Sequence, residues 1–122
     1  MKLRILVATL VALTASACSS LSPTLTRAPI TVENDELDKY WKSSGFSFNI
    51  ASLPGPAGSV KLRYLIDSNG DVHDVEVIDF QPNEDWVVAG KRALGNIEYK
   101  PSEQNTTKQP VIVETEFTFI NR

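Results

Sequence analysis

The chain has 122 residues and a formal net charge of −3; 42% of it is hydrophobic and 22% charged, with a single cysteine and a single histidine. That length accommodates one domain and a short extension. The acidic balance argues against nucleic acid and anionic lipid as partners, and one cysteine with one histidine excludes an internal disulfide and a Cys/His zinc site.

In chain order, Lys2 and Arg4 precede an apolar run from Ile5 to Leu13 that only Thr9 interrupts. The small residues Ala15-Ser16-Ala17 follow, and then Cys18. A charged start, a short apolar centre and a small-residue end predict a secretory signal peptide over residues 1–17. The apolar run is too short for a transmembrane helix, which needs about 20 such residues. A cysteine directly after the small residues resembles the lipobox of bacterial lipoproteins, with Ala15 where leucine is commonest. The resemblance implies that Cys18 carries palmitate-type acyl chains, becomes the mature N-terminus and holds a periplasm-facing protein to a membrane. Acyl burial contributes about 0.8 kcal/mol per CH₂, so two or three chains anchor stably where one does not. Ser19 and Ser20 stand where inner-membrane lipoproteins often carry Asp, which favours the outer membrane. An uncleaved anchor, a soluble secreted form and a buried structural cysteine are the alternatives.

Residues 18–32 are rich in Ser, Thr and Pro without periodicity and predict a flexible tether with a span of roughly 20 Å. The folded domain is expected over 33–122. Asn34-Asp35-Glu36 offers a cap followed by acids, so a helix should run from there to about Ser44-Gly45, with Leu37, Tyr40 and Trp41 on one face. Phe46, Phe48 and Ile50 alternate briefly, as a short strand or packed coil, before a loop over 53–58.

Val60–Ile66 alternates as a strand, Asp67–Gly70 reads as a turn, and Val72–Phe80 as the returning strand. A four-residue turn sets Leu62 opposite Val75 and Val60 opposite Val77 on one face, with Arg63 opposite Asp74 and Lys61 opposite Glu76 on the other. Pro82-Asn83-Glu84-Asp85 opens a second helix. It carries Trp86, Ala89, Gly90, Ala93 and Ile97 on its apolar face, with Val87 and Leu94 beside it, and ends at Gly95. Residues 98–101 read as a short extended piece and 102–109 as a polar loop. In the last strand, Val111–Ile120, Val111, Val113, Thr115, Phe117 and Phe119 face one way, and Ile112, Glu114, Glu116 and Thr118 the other. Lys61 and Arg63 make the first strand basic outward, while the other two are acidic. Like charges facing each other across strands are unfavourable, so the expected fold is α+β: a small antiparallel sheet of three main strands in order 2-1-3, two helices on its apolar face, and the last strand at an edge.

The residues offer little chemistry. His73, expected opposite Tyr64, reads as a hydrogen-bonded histidine at the core rim rather than a base or metal ligand. Asp67-Ser68-Asn69-Gly70-Asp71 begins like a calcium loop, but the twelfth position is Ile78 where a bidentate Glu is needed; a hairpin turn is expected. Asp74/Glu76 and Glu114/Glu116 read as solvated acids, and Trp41 and Trp86 as core. No nucleophile–base set can be assembled, so neither an enzyme nor a cofactor is expected.

Several segments share the order and spacing of a known family. Gly58 to Tyr64, Asp67 to Gly70 and Val72 to Ile78 resemble the first hairpin of the TonB C-terminal domain. Trp86 to Leu94 resembles its second helix, Tyr99-Lys100-Pro101 its aromatic-x-Pro, and Val111 to Phe119 its final strand. The likeness covers about residues 58–120. It implies a small sheet packed on helices that binds an extended peptide of an outer-membrane receptor by strand addition, with Val111, Val113, Glu114, Thr115, Glu116 and Phe117 as the peptide-binding edge. Best-known members also transmit force from an inner-membrane motor. The membrane-spanning helix and long Pro-rich spacer which that task needs are not expected here, nor is the Pro-Tyr-Pro-like entry to the first helix. The expectation is therefore a non-enzymatic docking module for an envelope protein. A part in TonB-type nutrient or siderophore uptake, or a structural envelope lipoprotein that dimerises through the same edge, is the alternative.

Overall fold

The computed structural model describes residues 22–44 and 53–120. The signal peptide over 1–17, Cys18 and the Phe46/Phe48/Ile50 segment lie outside them. In chain order the elements are β1 (Ile30–Thr31), a 3-10 helix (Asn34–Lys39), β2 (Trp41–Ser44), β3 (Ala57–Ile66), β4 (Val72–Gln81), a 3-10 turn (Glu84–Trp86), α1 (Val87–Gly95), β5 (Glu98–Pro101) and β6 (Val111–Ile120). The main sheet has order β1-β6-β3-β4, and β2 pairs with β5 in a separate two-stranded ribbon.

Basic β3 thus lies between two acidic neighbours, as the charge argument requires. Arg63 reaches Glu114 of β6 at 3.0 Å and Glu76 of β4 at 3.6 Å. These are exposed pairs, worth little in stability; their value is in ordering the strands. The inward faces of β3 (Val60, Leu62, Tyr64, Ile66) and β6 (Val111, Val113, Phe117, Phe119) form the core with Trp41, Trp86, Ala89, Ala93, Leu94 and Tyr99.

The sheet departs from the three-strand expectation at β1. This strand runs parallel to β6, pairing Ile30 with Val111 and Thr31 with Ile112. The start of the last strand is therefore not an edge. Residues 24–32, expected as a free tether, belong to the fold. Their polar composition reads as coil, but their backbone finds partners far away in sequence.

The first helix is also corrected. It stops as a 3-10 helix at Lys39, and Trp41–Ser44 is strand. The carbonyl of Lys39 accepts from the Ser102 hydroxyl (2.6 Å), and that of Tyr40 accepts from Ser102 N–H (3.0 Å) and Asn105 Nδ2 (2.9 Å). Those carbonyls are satisfied from outside, so the helix has no need to continue. Trp41 is fully buried, and its Nε1 donates to the Gln109 carbonyl at 2.8 Å. Among the described residues one α-helix, not two, covers the sheet.

That helix follows its sequence signals. Asn83 accepts the Asp85 N–H at 3.0 Å as the cap of the leading turn, and Trp86, Ala89, Gly90, Ala93 and Leu94 are buried. Close approach requires two glycines. A Cβ on Gly58 would stand 2.2 Å from the Trp86 ring, and one on Gly90 would stand 2.7 Å from Val60 Cβ.

The β3–β4 register differs from expectation as well. Ile66 pairs with Val72, Leu65 with His73, Arg63 with Glu76, Leu62 with Val77, Lys61 with Asp79 and Val60 with Phe80. The turn spans five residues because Asp67 N–H donates to the Asp71 carbonyl (2.9 Å), while its carboxylate accepts from the N–H groups of Asn69 (2.9 Å) and Asp71 (3.0 Å). Two β-bulges then each insert one residue, near Asp74 (φ 54°) and at Ile78. At Leu62 and Arg63 the net shift is two residues, so each still faces the expected residue type, two positions further on.

Candidate functional site

A β-strand points its backbone groups alternately to either side. The bonds to β1 fix that phase in β6: Ile30 N–H donates to the Pro110 carbonyl (3.2 Å) and Val32 N–H to that of Ile112 (2.9 Å). Even-numbered residues thus present their backbone away from β3. After Val32 the chain turns off into the 3-10 helix, and among the described residues no strand pairs with β6 on that side beyond Ile112. The backbone groups of Glu114, Glu116, Thr118 and Ile120 line this outer edge.

The sequence-predicted site residues separate into two sets. Glu114 and Glu116 are on the edge, with exposed side chains on the solvent face. Val111, Val113 and Phe117 are buried, and their backbone groups, like those of Thr115, face β3. They build the edge without presenting it. Thr118 and Ile120 were missed by sequence reasoning, although strand alternation from Glu114 would have found them once the phase was known. Ile120 is 60% exposed, the most exposed of the large hydrophobic residues of β6.

Under the edge is a hydroxyl chain. The Tyr64 hydroxyl lies 2.7 Å from that of Tyr99 and 2.8 Å from Thr115 Oγ1, which also accepts from Asn34 Nδ2 at 2.8 Å. Burial pushes the Tyr64 and Tyr99 phenols above their ordinary range, so both stay neutral. The network ties β3, β5, β6 and the 3-10 helix together.

A cleft of about 390 Å³ opens where β1 leaves β6, lined by Thr31, Val32, Glu33, Asn34, Arg63 and Glu114 among others. A second, of about 460 Å³, lies at the far end over residues 57–59 of β3, Gln81 and Pro82 as well as Glu116, Thr118 and Ile120. The open stretch of β6 begins at the first cleft. Glu33 and Glu114 make its near end acidic beside Arg63.

His73 faces Leu65 rather than Tyr64. Its Nε2 lies 2.8 Å from Asp67 Oδ2, which makes it part of the β3–β4 turn. Burial alone would raise the Asp67 carboxyl, but the N–H groups of Thr24, Asp71 and Asn69, with His73, outweigh it and hold the group below the ordinary carboxylate range. Among the described residues no helix is long and apolar enough to cross a membrane.

Residues 49–120 match the family model described as the Gram-negative bacterial TonB protein C-terminal. No curated protein and no solved structure matches the chain. The matched region begins ahead of β3 and ends with β6, and it contains the β3–β4 hairpin, α1 and the edge strand. It covers more than half of the sequence, and its family is one of envelope proteins that face the periplasm. The chain belongs to the TonB C-terminal family.

Proposed function

We propose that this protein is a non-enzymatic docking module of the cell envelope, which binds an extended segment of another envelope protein by strand addition to the outer edge of β6. The observation that carries this reading is the open, regular stretch from Glu114 to Ile120, whose outward backbone groups no strand of the described residues occupies. Unpaired strand edges accept partner strands through main-chain hydrogen bonds. Glu114 and Glu116 beside that edge favour a segment carrying Lys or Arg. Cys18 anchors the module through acyl chains, on the resemblance of residues 1–18 to a lipoprotein signal, and places it at the outer membrane facing the periplasm. No cofactor takes part.

The family match favours a second reading of the partner, as a segment of an outer-membrane receptor in TonB-type uptake. Crosslinking to such a receptor would support it, and crosslinking only to structural envelope proteins would reject it. Dimerisation through the same edge would appear instead as a concentration-dependent mass.

Thr118→Pro tests strand addition. It removes an outward N–H from a solvent-facing edge position, where proline is tolerated. The variant should still fold cooperatively, with at most a small shift in its melting curve, and lose its partner in pull-downs from envelope extracts. Undiminished capture of the same partner by the folded variant would reject docking at this edge.

A further inference from the structure

The segment that covers the start of the docking edge is held almost entirely by polar contacts. Thr24 N–H donates to Asp67 Oδ2 (3.0 Å), and its carbonyl accepts the Ser68 N–H (2.8 Å). Thr26 N–H donates to Ser68 Oγ (2.9 Å), and the Thr26 hydroxyl donates to the Thr107 carbonyl (2.9 Å). Gln109 Nε2 donates to the Ala28 carbonyl (2.8 Å), and Ile30 and Val32 then pair with β6. Little apolar surface is buried with these bonds. Leu25 is 46% and Ile30 39% exposed, and only Val32 packs partly against the core.

Local stability follows buried apolar contact; a segment held by hydrogen bonds with little apolar burial is free to open below the global unfolding energy. The receiving side is different. Asp67 and Ser68 are buried, and Asp67 is also held by its own turn and by His73. The Asp67 turn therefore keeps its own hydrogen bonds when the segment leaves.

We infer that residues 22–32 form a displaceable strap, and that its release is coupled to docking on β6. The inference rests on the docking reading above. In the closed state β1 occupies the outward carbonyls of Pro110 and Ile112, which limits an incoming strand to Glu114–Ile120. Once the strap leaves, the rail extends back to Pro110. Coupling is reciprocal: whatever favours release strengthens docking, and docking favours release. Release also frees about ten residues between the edge and Cys18, which lengthens the reach of the module by roughly 30 Å.

The test uses the full chain carrying Cys18→Ser, a release variant (Thr26→Val with Ile30→Pro) and a locked variant (Thr31→Cys with Ile112→Cys, which are register partners). Amide hydrogen exchange is measured first on the parent. The Thr24, Thr26, Ile30 and Val32 amides should exchange at least about 100-fold faster than those of Val60 and Val113, as sub-global opening requires. Exchange at the core rate would overturn the strap, whatever the edge binds. A nitroxide-labelled synthetic peptide of residues 24–34 is then titrated against each form. Its tethered counterpart competes at millimolar effective concentration, so affinity should rise at least about tenfold on release and fall in the locked form. Equal affinity for all three forms would overturn the inference and leave the docking edge standing. Binding to none would overturn the displaceable strap, while the docking edge is judged separately by partner capture with Thr118→Pro.

Discussion

The two long strands that flank β3 face solvent in different ways. β4 is bulged near Asp74 and at Ile78. Its acids Asp74, Glu76 and Asp79 are exposed, and Asp79 Oδ1 accepts the Phe80 N–H at 2.8 Å. Bulges, charges and a side chain bonded to a backbone donor are ways of blunting an edge. Val75, Ile78 and Phe80 are each 39% exposed on this strand, yet the backbone around them is out of phase for a partner. β6 pairs with β3 over all ten residues without a register shift. Among the described residues, it is flanked at one end by the two-residue β1 and by the 3-10 helix, whose Asn34 Nδ2 donates to Thr115 Oγ1. A regular edge can accept a partner strand, whereas bulges and charges hinder pairing.

This comparison can be broken at several depths. The largest effect should come from Trp86→Ala, which removes the fully buried ring that packs against Gly58 and Phe119 and so loosens the scaffold of both edges. A loss of about 3–5 kcal/mol is expected in chemical denaturation. A proline pair then separates the two sides of β6. Thr115→Pro takes an N–H out of the β3 ladder and removes the hydroxyl between Tyr64 and Asn34, and the buried groups left unpaired should cost at least about 1–3 kcal/mol. Thr118→Pro removes an outward donor and should cost less than about 1 kcal/mol in the same urea titration. Equal costs would mean the phase assigned to the edge is wrong.

A smaller effect belongs to the turn that supports the strap. Asp67 is ionised in the fold with its carboxyl held below the ordinary range. Its contribution is fully present above the unfolded carboxylate value, about pH 4. It is lost as the pH falls through the lower folded value. Asp67→Asn should lower the urea midpoint at neutral pH, by an amount equivalent to about 1–3 kcal/mol. The gap between variant and parent should narrow in acid. A gap that widens on acidification would contradict the assignment. The smallest expected effect is that of Arg63→Gln, which removes two exposed ion pairs and should change stability by less than about 1 kcal/mol.

Much of this architecture was legible where one strand face is buried. The alternation in Val60–Ile66 and Val111–Phe119 fixed their inward residues, and the charges of Lys61 and Arg63 placed β3 between its neighbours. The helix behind Asn83 was legible because cap, acids and apolar stripe agree. The 34–44 segment was not. Leu37, Tyr40 and Trp41 have helical spacing, but Ser102, Asn105 and Gln109 claim the carbonyls and the indole from more than 60 residues away. The β4 register was hidden because its bulge uses Asp74, not glycine, at positive φ; Asp tolerates that region and leaves no glycine signal. The edge itself was half legible. Glu114 and Glu116 do lie on the outer side of β6, but the phase that adds Thr118 and Ile120 to that side is set by the pairing with β1, whose Thr- and Pro-rich surroundings read as a tether.

The most direct test compares the two edges in one experiment: a photo-crosslinking residue placed at Thr118 of β6 or at Asp79 of β4, in the intact envelope. The account predicts adducts from Thr118 that map to an extended segment of one envelope protein, and none above background from Asp79. Adducts from Asp79 with none from Thr118 would contradict it.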